Sequence, residues 1–287
     1  MLKRSTIQLL RFPFSYFLMP IYWFALSFVD NIDWLKAIII FFILHVLVYP
    51  SSNGYNSYMD RDESSIGGIE NPLKPTKELF TVSILLDIMA IAASFFISPL
   101  FVLCIFIYIF FSRLYSYRGI RLKQYAILGY LTVVLVQGSL TFFMVNYGAD
   151  KTLLVRTWWL PLVASAFLIG GFYPITQIYQ HDDDKKDGVN SISLWLGKKG
   201  TFIFCALVYG FAMMLLWWQY QILQQQKPFI VLSIFFLPVV VYFVHWFIQV
   251  LKDETKADFK HTMQMNWLAS TCTNMAFFTI LLIKHIG

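Results

Sequence analysis

Long apolar segments follow one another along almost the whole chain of 287 residues, and they constrain its fold more than any other feature. A helix needs about 20 apolar residues to cross the hydrocarbon core of a bilayer. Charged residues make up 13% of the chain, against roughly 25% in an ordinary soluble domain. Nine segments are long enough to span: 9–29, 35–52, 79–97, 99–115, 125–147, 157–178, 201–222, 229–250 and 266–284. The sequence therefore predicts an all-α polytopic membrane protein whose nine transmembrane helices form one bundle, a single domain over residues 1–287.

The basic residues are distributed unevenly between the two sides that nine spans create. All but five of the 22 Lys and Arg residues fall at the amino terminus or after even-numbered spans, the exceptions being Lys36, Lys151, Arg156, Lys227 and Lys284. Cytoplasmic segments of membrane proteins carry an excess of Lys and Arg. We therefore expect an integral protein of a bacterial inner membrane with a cytoplasmic amino terminus. The net charge of +6 then reflects topology, and it indicates no nucleic-acid partner.

Two acidic clusters interrupt the apolar pattern, each at the predicted cytoplasmic end of a span. The first covers residues 56–63 and the second residues 180–187. Carboxylates beside a membrane are costly unless they are paired, bind a metal or face a polar cavity. Mg²⁺ is usually bound by one or two carboxylates together with substrate phosphates. A solvated loop would explain either cluster alone, but the two together predict metal-dependent chemistry on a diphosphate.

The spacing within the clusters suggests how oxygen ligands could be presented. If span two continues as a helix, three side chains share one face because they are separated by three and four residues: Asn53, Asn56 and Asp60. A similar row occurs at the second cluster: Gln177, Gln180 and Asp184. Pro174 would kink that helix and free a backbone carbonyl, as helices that line cavities often do.

A third polar stretch, residues 115–123, follows span four and supplies cations where the clusters supply anions. Its basic residues are Arg118, Arg121 and Lys123, and the first cluster adds Arg61. A departing diphosphate accumulates negative charge that such side chains can stabilise. These four residues are therefore the predicted diphosphate-binding set.

At these residues the chain resembles the UbiA family of intramembrane prenyltransferases, which have nine transmembrane helices and two aspartate-rich motifs. The family's first motif, Asn-Asp-x-x-Asp-x-x-x-Asp, is similar to the segment from Asn56 to Ser64, and its second, Asp-x-x-x-Asp, is similar to the segment from Gln180 to Asp184. The family's Tyr-x-x-x-x-Arg/Lys element is similar to the stretch that begins at Tyr115. The three matches occur in the family's order and cover essentially the whole chain.

The resemblance implies an Mg²⁺-dependent enzyme that transfers a polyprenyl group from its diphosphate to a lipophilic, typically aromatic, acceptor in the bilayer. No obligate protein partner is indicated. By this resemblance the catalytic residues are Asp60, Asp184 and Lys123. The implied metal ligands are Asn56, Asp60, Gln180, Asp183 and Asp184. Further residues that could contribute are Asn53, Asp62, Glu63 and Tyr115.

Three departures from the family pattern keep other functions in view. Ser57, Ser64 and Gln180 stand where the motifs often have aspartates. A terpene cyclase, which ionises the same diphosphate without an external acceptor, is the first alternative. A membrane transporter or scaffold, whose acids would coordinate ions, is the alternative from another class. The position of the acids at span ends beside Lys and Arg favours diphosphate chemistry over transport.

A few polar or reactive side chains inside the spans have simpler explanations. Asp87 in span three should face the bundle interior, where a hydrogen-bond partner or a place in an acceptor pocket would offset its cost. His45 is expected to be a packed, hydrogen-bonded histidine. Cys104, Cys205 and Cys272 have no pair spacing, so we expect neither a disulfide nor a zinc site.

Overall fold

The computed structural model describes residues 2–155 and 158–286, and within them it shows ten helices and no β-strand. Four of these helices, α1, α2, α5 and α6, contain 3₁₀ or π segments, and two further short 3₁₀ turns lie in loops, Leu122–Gln124 and Glu254–Lys256. The helices, in chain order, are α1 (Arg4–Ser27), α2 (Trp34–Asp60), α3 (Lys77–Ser94), α4 (Pro99–Ser116), α5 (Ala126–Ala149), α6 (Trp159–Gln177), α7 (His181–Lys186), α8 (Ile192–Ile222), α9 (Gln226–Lys252) and α10 (Phe259–Ile286).

Nine of these helices correspond to the nine predicted spans, and the tenth, α7, is the short helix of the second cluster. Eight are long and apolar enough to cross a membrane by their own composition. The exception among the nine is α3, an 18-residue helix that contains Lys77, Glu78 and Asp87. The predicted all-α, multi-pass class is confirmed, and the count of nine depends on α3.

The predicted span limits differ most at the ends that lie near the acidic clusters. Helix α2 continues from the predicted end at residue 52 to Asp60, α8 begins at Ile192 and not at residue 201, and α10 begins at Phe259 and not at residue 266. Polar turns of helix extend there beyond the apolar segments. The predicted start of span six at residue 157, like Arg156, lies outside the described residues.

The long helices pack side by side around one apolar core. Helix α6 packs against α8 and the middle of α5, α10 packs against α9 and α1, and α2 packs against α3. The ends that carry the two acidic clusters all lie on one side of the bundle, which we call the motif face. The opposite face is tied by a hydrogen bond from Asp33 N to Ala149 O at 2.8 Å and by an ion pair between Lys284 and Asp30 at 2.9 Å.

Helices α1, α2 and α5 each depart from regular α-geometry in their interior, beside the core. Arg11 interrupts α1 with a left-handed backbone (φ of 49°). Helices α2 and α5 contain π-helical segments, Ile43–Val48 and Val134–Leu140. Within the second, Gly138 lies so close to α6 that a Cβ there would be 2.7 Å from the Ala166 Cα. Such departures change which side chains a helix turns toward the interior.

The isolated polar side chains are packed as predicted. Asp87 is buried and pairs with Arg113, while Ser51 Oγ donates to Asp87 Oδ1 at 2.6 Å. His45 is buried and its Nδ1 hydrogen-bonds to Phe41 O at 3.1 Å. The three cysteines are free, two of them buried.

Candidate active site

The first acidic motif forms the last turns of α2. This part of the helix runs without a break from Tyr49 to Asp60, so Asn53, Asn56 and Asp60 share one face, as their spacing predicted. Arg61 then adopts a left-handed backbone (φ of 57°), which is a common way to end a helix. The residues that follow Asp60 therefore leave this face.

Asp60 lies at the centre of a hydrogen-bond network. Its side chain is 3% exposed and lies 2.5 Å from Lys123 Nζ and 3.3 Å from Arg121 Nη2. Asn56 Nδ2 donates to Asp60 Oδ2 at 2.9 Å and to Ser116 Oγ at 3.0 Å. A carboxylate buried this deeply requires charged partners. The structure thus brings four of the sequence-predicted site residues into direct contact: Asn56, Asp60, Arg121 and Lys123.

The cationic stretch after α4 wraps around the end of α2 and joins the two motifs. Arg118 donates from Nε to Met59 O at 2.6 Å and from Nη2 to Asp60 O at 3.0 Å. Arg121 forms an ion pair with Asp187 and donates from Nη1 to Asp187 O at 3.1 Å. Arg118 Nη1 is 3.8 Å from Asp187 Oδ1. Asp187, which the sequence analysis did not select, is therefore the acid that connects the second motif to the first.

The Arg121–Asp187 contact affects the ionisation of both partners. Burial alone would raise the pKa of Asp187, but the hydrogen bond and charge of Arg121 lower it below its usual value. Burial alone would lower the pKa of Arg121, but Asp187 and Asp60 raise it. Both side chains therefore stay charged at neutral pH.

The other acids of the second motif are held by serine hydroxyls. Asp183 accepts from Ser64 Oγ at 2.6 Å and Asp184 accepts from Ser191 Oγ at 2.7 Å. Ser64 belongs to the loop that follows the first motif, so this hydrogen bond also joins the two motifs. It is the largest of the effects that lower the pKa of Asp183.

Gln180 precedes α7 and is tied to the same loop. Its Nε2 donates to Ser65 O at 3.2 Å, and its backbone carbonyl accepts from Asp184 N at 2.8 Å. The predicted row is correct for Gln180 and Asp184 but wrong for Gln177. That residue ends a 3₁₀ segment that begins at Pro174, whereas Gln180 caps α7 and Asp184 lies in its first turns, so Gln177 does not continue their row.

The acids of the two motifs are close enough to affect one another. The pKa of Asp62 is raised to about 6, mainly by burial and then by the charge of Asp60. The pKa of Asp184 is raised by burial, and Asp60 and Asp183 add to this effect. A divalent cation would relieve such repulsion, and these oxygen donors suit Mg²⁺. Within the described residues no three Asp, Glu, His or Cys side chains form a closed metal cluster, but Mg²⁺ generally binds fewer carboxylates and retains substrate oxygens.

A polar cavity of about 110 Å³ extends from Asn56 into the membrane-spanning part of the bundle, between α2, α4, α5 and α6. Arg11 reaches its mouth from the break in α1. Arg11 is 9% exposed and donates from Nη2 to Asn53 O at 3.4 Å and to Asn56 Oδ1 at 3.5 Å. Its guanidinium therefore points toward the first motif and not toward the lipid headgroups, where arginines near helix ends often extend.

Tyr115 lines the same cavity and shares a hydrogen bond with the Tyr173 hydroxyl. Gln177 Nε2 donates to the Tyr173 hydroxyl at 2.9 Å. Two rings from α4 and α6 therefore close one wall of the cavity next to the acidic motifs.

Two predicted residues lie away from this network. The Arg61 side chain is exposed and makes no hydrogen bond or ion pair with another described residue, and only its backbone N–H donates, to Ser57 O at 3.1 Å. Glu63 is exposed, and its carboxylate lies 3.6 Å from Lys74 Nζ. The left-handed turn at Arg61 explains both positions, because it directs the chain away from the face that carries Asn56 and Asp60.

Solved structures share this architecture across nearly the full length of the chain. A UbiA homologue from Archaeoglobus fulgidus bound to GPP and Mg²⁺ has a TM-score of 0.72 at 17% identity, covering 96% of this chain and 99% of that one. A UbiA homologue from Aeropyrum pernix K1 has a TM-score of 0.70 at 15% identity, covering 95% and 98%. A digeranylgeranylglyceryl phosphate synthase has a TM-score of 0.64 at 21% identity, covering 98% of each chain.

At these identities the structural likeness establishes the fold. No curated protein matches the sequence of this chain significantly. The model of the UbiA prenyltransferase family, however, matches residues 17–269, which is most of the chain. The predicted family and enzyme class are thereby confirmed, and the chain belongs to the UbiA prenyltransferase family.

Proposed function

We propose that this enzyme binds a prenyl diphosphate between the two acidic motifs, with Mg²⁺, and transfers the prenyl group to a lipophilic acceptor, most simply an aromatic one. The main support for this proposal is the network of hydrogen bonds and ion pairs around Asp60. It joins Asn56 of the first motif, Arg121 and Lys123 of the loop after α4, and through Arg121 also Asp187 of the second motif. Anionic and cationic groups thus meet at the mouth of one cavity, as diphosphate binding requires.

The metal ligands in this proposal are the oxygens of Asn56, Asp60, Gln180, Asp183 and Asp184, with Asp62 close by. Mg²⁺ would supply charge neutralisation for the diphosphate. The GPP and Mg²⁺ bound by the Archaeoglobus fulgidus homologue support this assignment by analogy of fold. Amide oxygens can replace carboxylate oxygens as ligands, so Gln180 is compatible with a metal site of lower charge.

The cationic side chains have a separate role, which is to bind the diphosphate as it leaves. In the reaction the bond between prenyl C1 and the diphosphate oxygen breaks, and its electron pair leaves with the diphosphate. An electron pair of the acceptor then forms the new bond to C1, and the acceptor loses a proton, for which the departing diphosphate is a suitable base. Arg121, Lys123 and Arg118 lie where they can stabilise the charge that develops on the diphosphate.

We also propose that the motif face is the cytoplasmic face. The distribution of Lys and Arg supports this orientation, and a diphosphate made in the cytoplasm would then reach the site without crossing the bilayer. Labelling of single cysteines placed at Ser65 and at Gln225 in intact cells would test the orientation, since only the second should react with an impermeant reagent.

The direct test is diphosphate release from a series of prenyl diphosphates of increasing chain length, with purified protein, Mg²⁺ and a panel of aromatic acceptors. We expect acceptor-dependent release and a prenylated product. Release with a hydrocarbon or cyclic alcohol product and no acceptor would favour the cyclase. Binding of Mg²⁺ with no consumption of any diphosphate would favour a transporter or scaffold.

A matched pair of variants tests the second motif. Asp184→Asn should lower diphosphate release by at least about 100-fold, because it removes a charge on the metal and substrate site. Asp182→Asn, two residues earlier on the same helix but exposed, should retain activity within about twofold. Equal losses in the two variants would show that the motif acts through its total charge, and equal activities would remove Asp184 from the site.

A further inference from the structure

The face opposite the motif face contains a cavity of its own, which we call the opposite-face cavity. It has a volume of about 420 Å³ and lies between the adjoining ends of α1, α8, α9 and α10, with Trp158, just before α6, in its wall. Two lysines line it, Lys227 at the start of α9 and Lys284 near the end of α10. By the predicted topology only five of the 22 basic residues are on this side of the membrane, so two in the wall of one cavity are a local concentration of positive charge.

The two lysines differ in how far the protein already neutralises them. Lys284 Nζ is 2.9 Å from Asp30 Oδ1 and donates to Ser27 O at 3.1 Å. Lys227 is exposed, and its side chain makes no hydrogen bond or ion pair with another described residue. Since Asp30 lines the cavity as well, Lys227 is a positive charge beyond the Lys284–Asp30 pair. The wall is therefore suited to an anion.

Two aromatic side chains in the same wall bury polar atoms that have no partner. Tyr220 is 2% exposed, and its hydroxyl has no hydrogen-bond partner in the part of the chain that the structure describes. The same is true of the indole nitrogen of Trp158, which can only donate. The ring of Phe28 contacts both, with centroid distances of 5.9 Å to Tyr220 and 5.6 Å to Trp158. Buried donors without an acceptor cost free energy, and the oxygens of a bound anion would remove that cost.

The rest of the wall is apolar and is formed by Phe28, Leu223, Ile280 and Ile283. Ile283 is 40% exposed, so this part of the wall reaches the surface of the bundle. A free phosphate ion would leave the apolar part uncovered, whereas a phospholipid would cover the polar part with its headgroup and the apolar part with the first carbons of its acyl chains. Trp and Tyr side chains at the ends of membrane-spanning helices lie at the level of the lipid headgroups, which is where such a ligand is available.

We propose that the opposite-face cavity binds the headgroup of an anionic phospholipid from the leaflet on that side of the membrane. Lys227 binds the lipid phosphate, and Tyr220 and Trp158 donate hydrogen bonds to its oxygens. The bound lipid joins the ends of α1, α8, α9 and α10, and it stabilises the folded bundle because it binds only the folded state. This site is independent of the proposed function, since none of its residues belongs to the two acidic motifs.

The test titrates dihexanoyl phosphatidylglycerol, an anionic phospholipid short enough to dissolve as single molecules, into purified full-length protein in an uncharged detergent. Binding to the folded state raises the thermal midpoint as the lipid concentration rises, and we expect a saturable rise. Two further ligands separate the contributions of headgroup and chains: dihexanoylglycerol lacks the phosphate, and inorganic phosphate lacks the chains. Each should bind at least about tenfold more weakly, because each makes only part of the contacts.

Matched pairs of variants assign the effect to this cavity. Lys227→Gln should weaken phosphatidylglycerol binding about tenfold, the loss of one hydrogen bond to a charged group. Lys151→Gln, an exposed lysine of the same face that does not line the cavity, should leave binding unchanged. Tyr220→Phe should weaken binding about fivefold, and its midpoint without lipid should not fall, because the lost hydroxyl has no partner in the protein. Tyr108→Phe removes another buried hydroxyl without a partner, from the cavity beside the motifs, and should not change lipid binding.

Several results would overturn the proposal. The site would be excluded if phosphatidylglycerol gave no saturable rise, if Lys227→Gln bound it as well as Lys151→Gln, or if Tyr220→Phe bound it as well as Tyr108→Phe. Equal binding of dihexanoylglycerol would mean that the cavity recognises acyl chains only, and equal binding of inorganic phosphate would mean an anion site that needs no lipid. None of these measurements involves turnover, so their failure is distinct from failure of the proposed function, which the diphosphate-release assay detects.

Discussion

Two acidic residues in this bundle, Asp60 and Asp87, are almost equally buried, with whole-residue exposures of 8% and 7%, and each forms an ion pair with an arginine. Asp87 and Arg113 are bound to each other and to groups of the protein. Its partner Arg113 also donates to Ser51 Oγ at 2.6 Å and lies 4.1 Å from the centre of the Tyr55 ring. The cluster thereby joins α2, α3 and α4, and none of these residues lines the polar cavity.

Around Asp60 the charges are not balanced one to one. Lys123 and Arg121 both contact its carboxylate, and Arg118 reaches its backbone carbonyl. Asn56 connects it to the cavity. The comparison teaches that burial and an ion pair do not by themselves identify a functional acid. What sets Asp60 apart is that its acids and cations are shared between the two motifs beside a cavity, which supports our proposal that this cluster binds a metal ion and an anion from outside the protein.

The largest effect that we expect is a loss of activity on substitution of Asp60, which should not follow from substitution of Asp87. Asp60→Asn should lower diphosphate release by about 100- to 1000-fold, because it removes the charge at the centre of the proposed site while keeping the side-chain shape. The thermal midpoint should fall less than in Asp87→Asn, because Arg121 keeps Asp187 as a counter-ion. Glu63→Gln, which alters an exposed acid three residues later, should remain within about twofold of wild type. Normal activity in Asp60→Asn at saturating Mg²⁺ would remove Asp60 from the site.

The second prediction is that substitution of Asp87 lowers the stability of the protein and not its activity. Asp87→Asn should destabilise the protein by about 3–5 kcal/mol, because it leaves Arg113 buried without its counter-ion. Denaturation in mixed detergent micelles measures this loss, and the folded fraction should keep its activity. The double variant Asp87→Leu with Arg113→Met should recover much of the stability, since removing both charges leaves neither unpaired. Lost turnover at normal stability would place Asp87 in the site instead.

The third prediction concerns the cations at Asp60. Lys123→Met should raise the KM for prenyl diphosphate and lower kcat, each by about tenfold, because a cation on the diphosphate acts in both the ground state and the transition state. Lys185→Met, an exposed lysine on α7, controls for the general electrostatic field. If only the KM of the acceptor changed, Lys123 would serve the other substrate.

The smallest effect is expected at Gln180, where the chain departs from the family pattern. Gln180→Asp should add a ligand charge and lower the Mg²⁺ concentration for half-maximal activity by about two- to fivefold, the size of effect expected for one partly exposed charge. A changed product distribution at constant metal dependence would show that Gln180 shapes the substrate pocket. If neither the Mg²⁺ dependence nor the product distribution changed, we would conclude that Asp183 and Asp184 bind the metal without Gln180.

Regular spacing made part of this site predictable. Asn56 and Asp60 are four residues apart, and α2 stays helical through both, so their shared face followed from the sequence alone. Arg121 and Lys123 were predicted because a cationic stretch follows span four. Regular periodicity was enough in each case because the helix, or its immediate end, sets where the side chain lies.

The remaining parts depend on turns and tertiary contacts that leave little trace in the sequence. Arg11 reaches the motif because α1 breaks at a non-glycine residue with positive φ, a conformation that side-chain sterics disfavour. The turn at Arg61 likewise separates Glu63 from Asp60. Asp187 meets Arg121 only because the loop after α7 folds back onto the loop after α4, a contact between residues 66 positions apart. Sequence spacing cannot specify such a contact.

The Asp87–Arg113 pair also has a consequence for how the chain enters the membrane. Each charge alone would cost about 2.5–3.5 kcal/mol at the centre of an inserting helix, and α3 has too many charged residues to be apolar on its own. Only four residues separate the end of α3 at Ser94 from the start of α4 at Pro99. The two helices are therefore suited to leave the translocon together as a hairpin, with the acid of one neutralised by the arginine of the next.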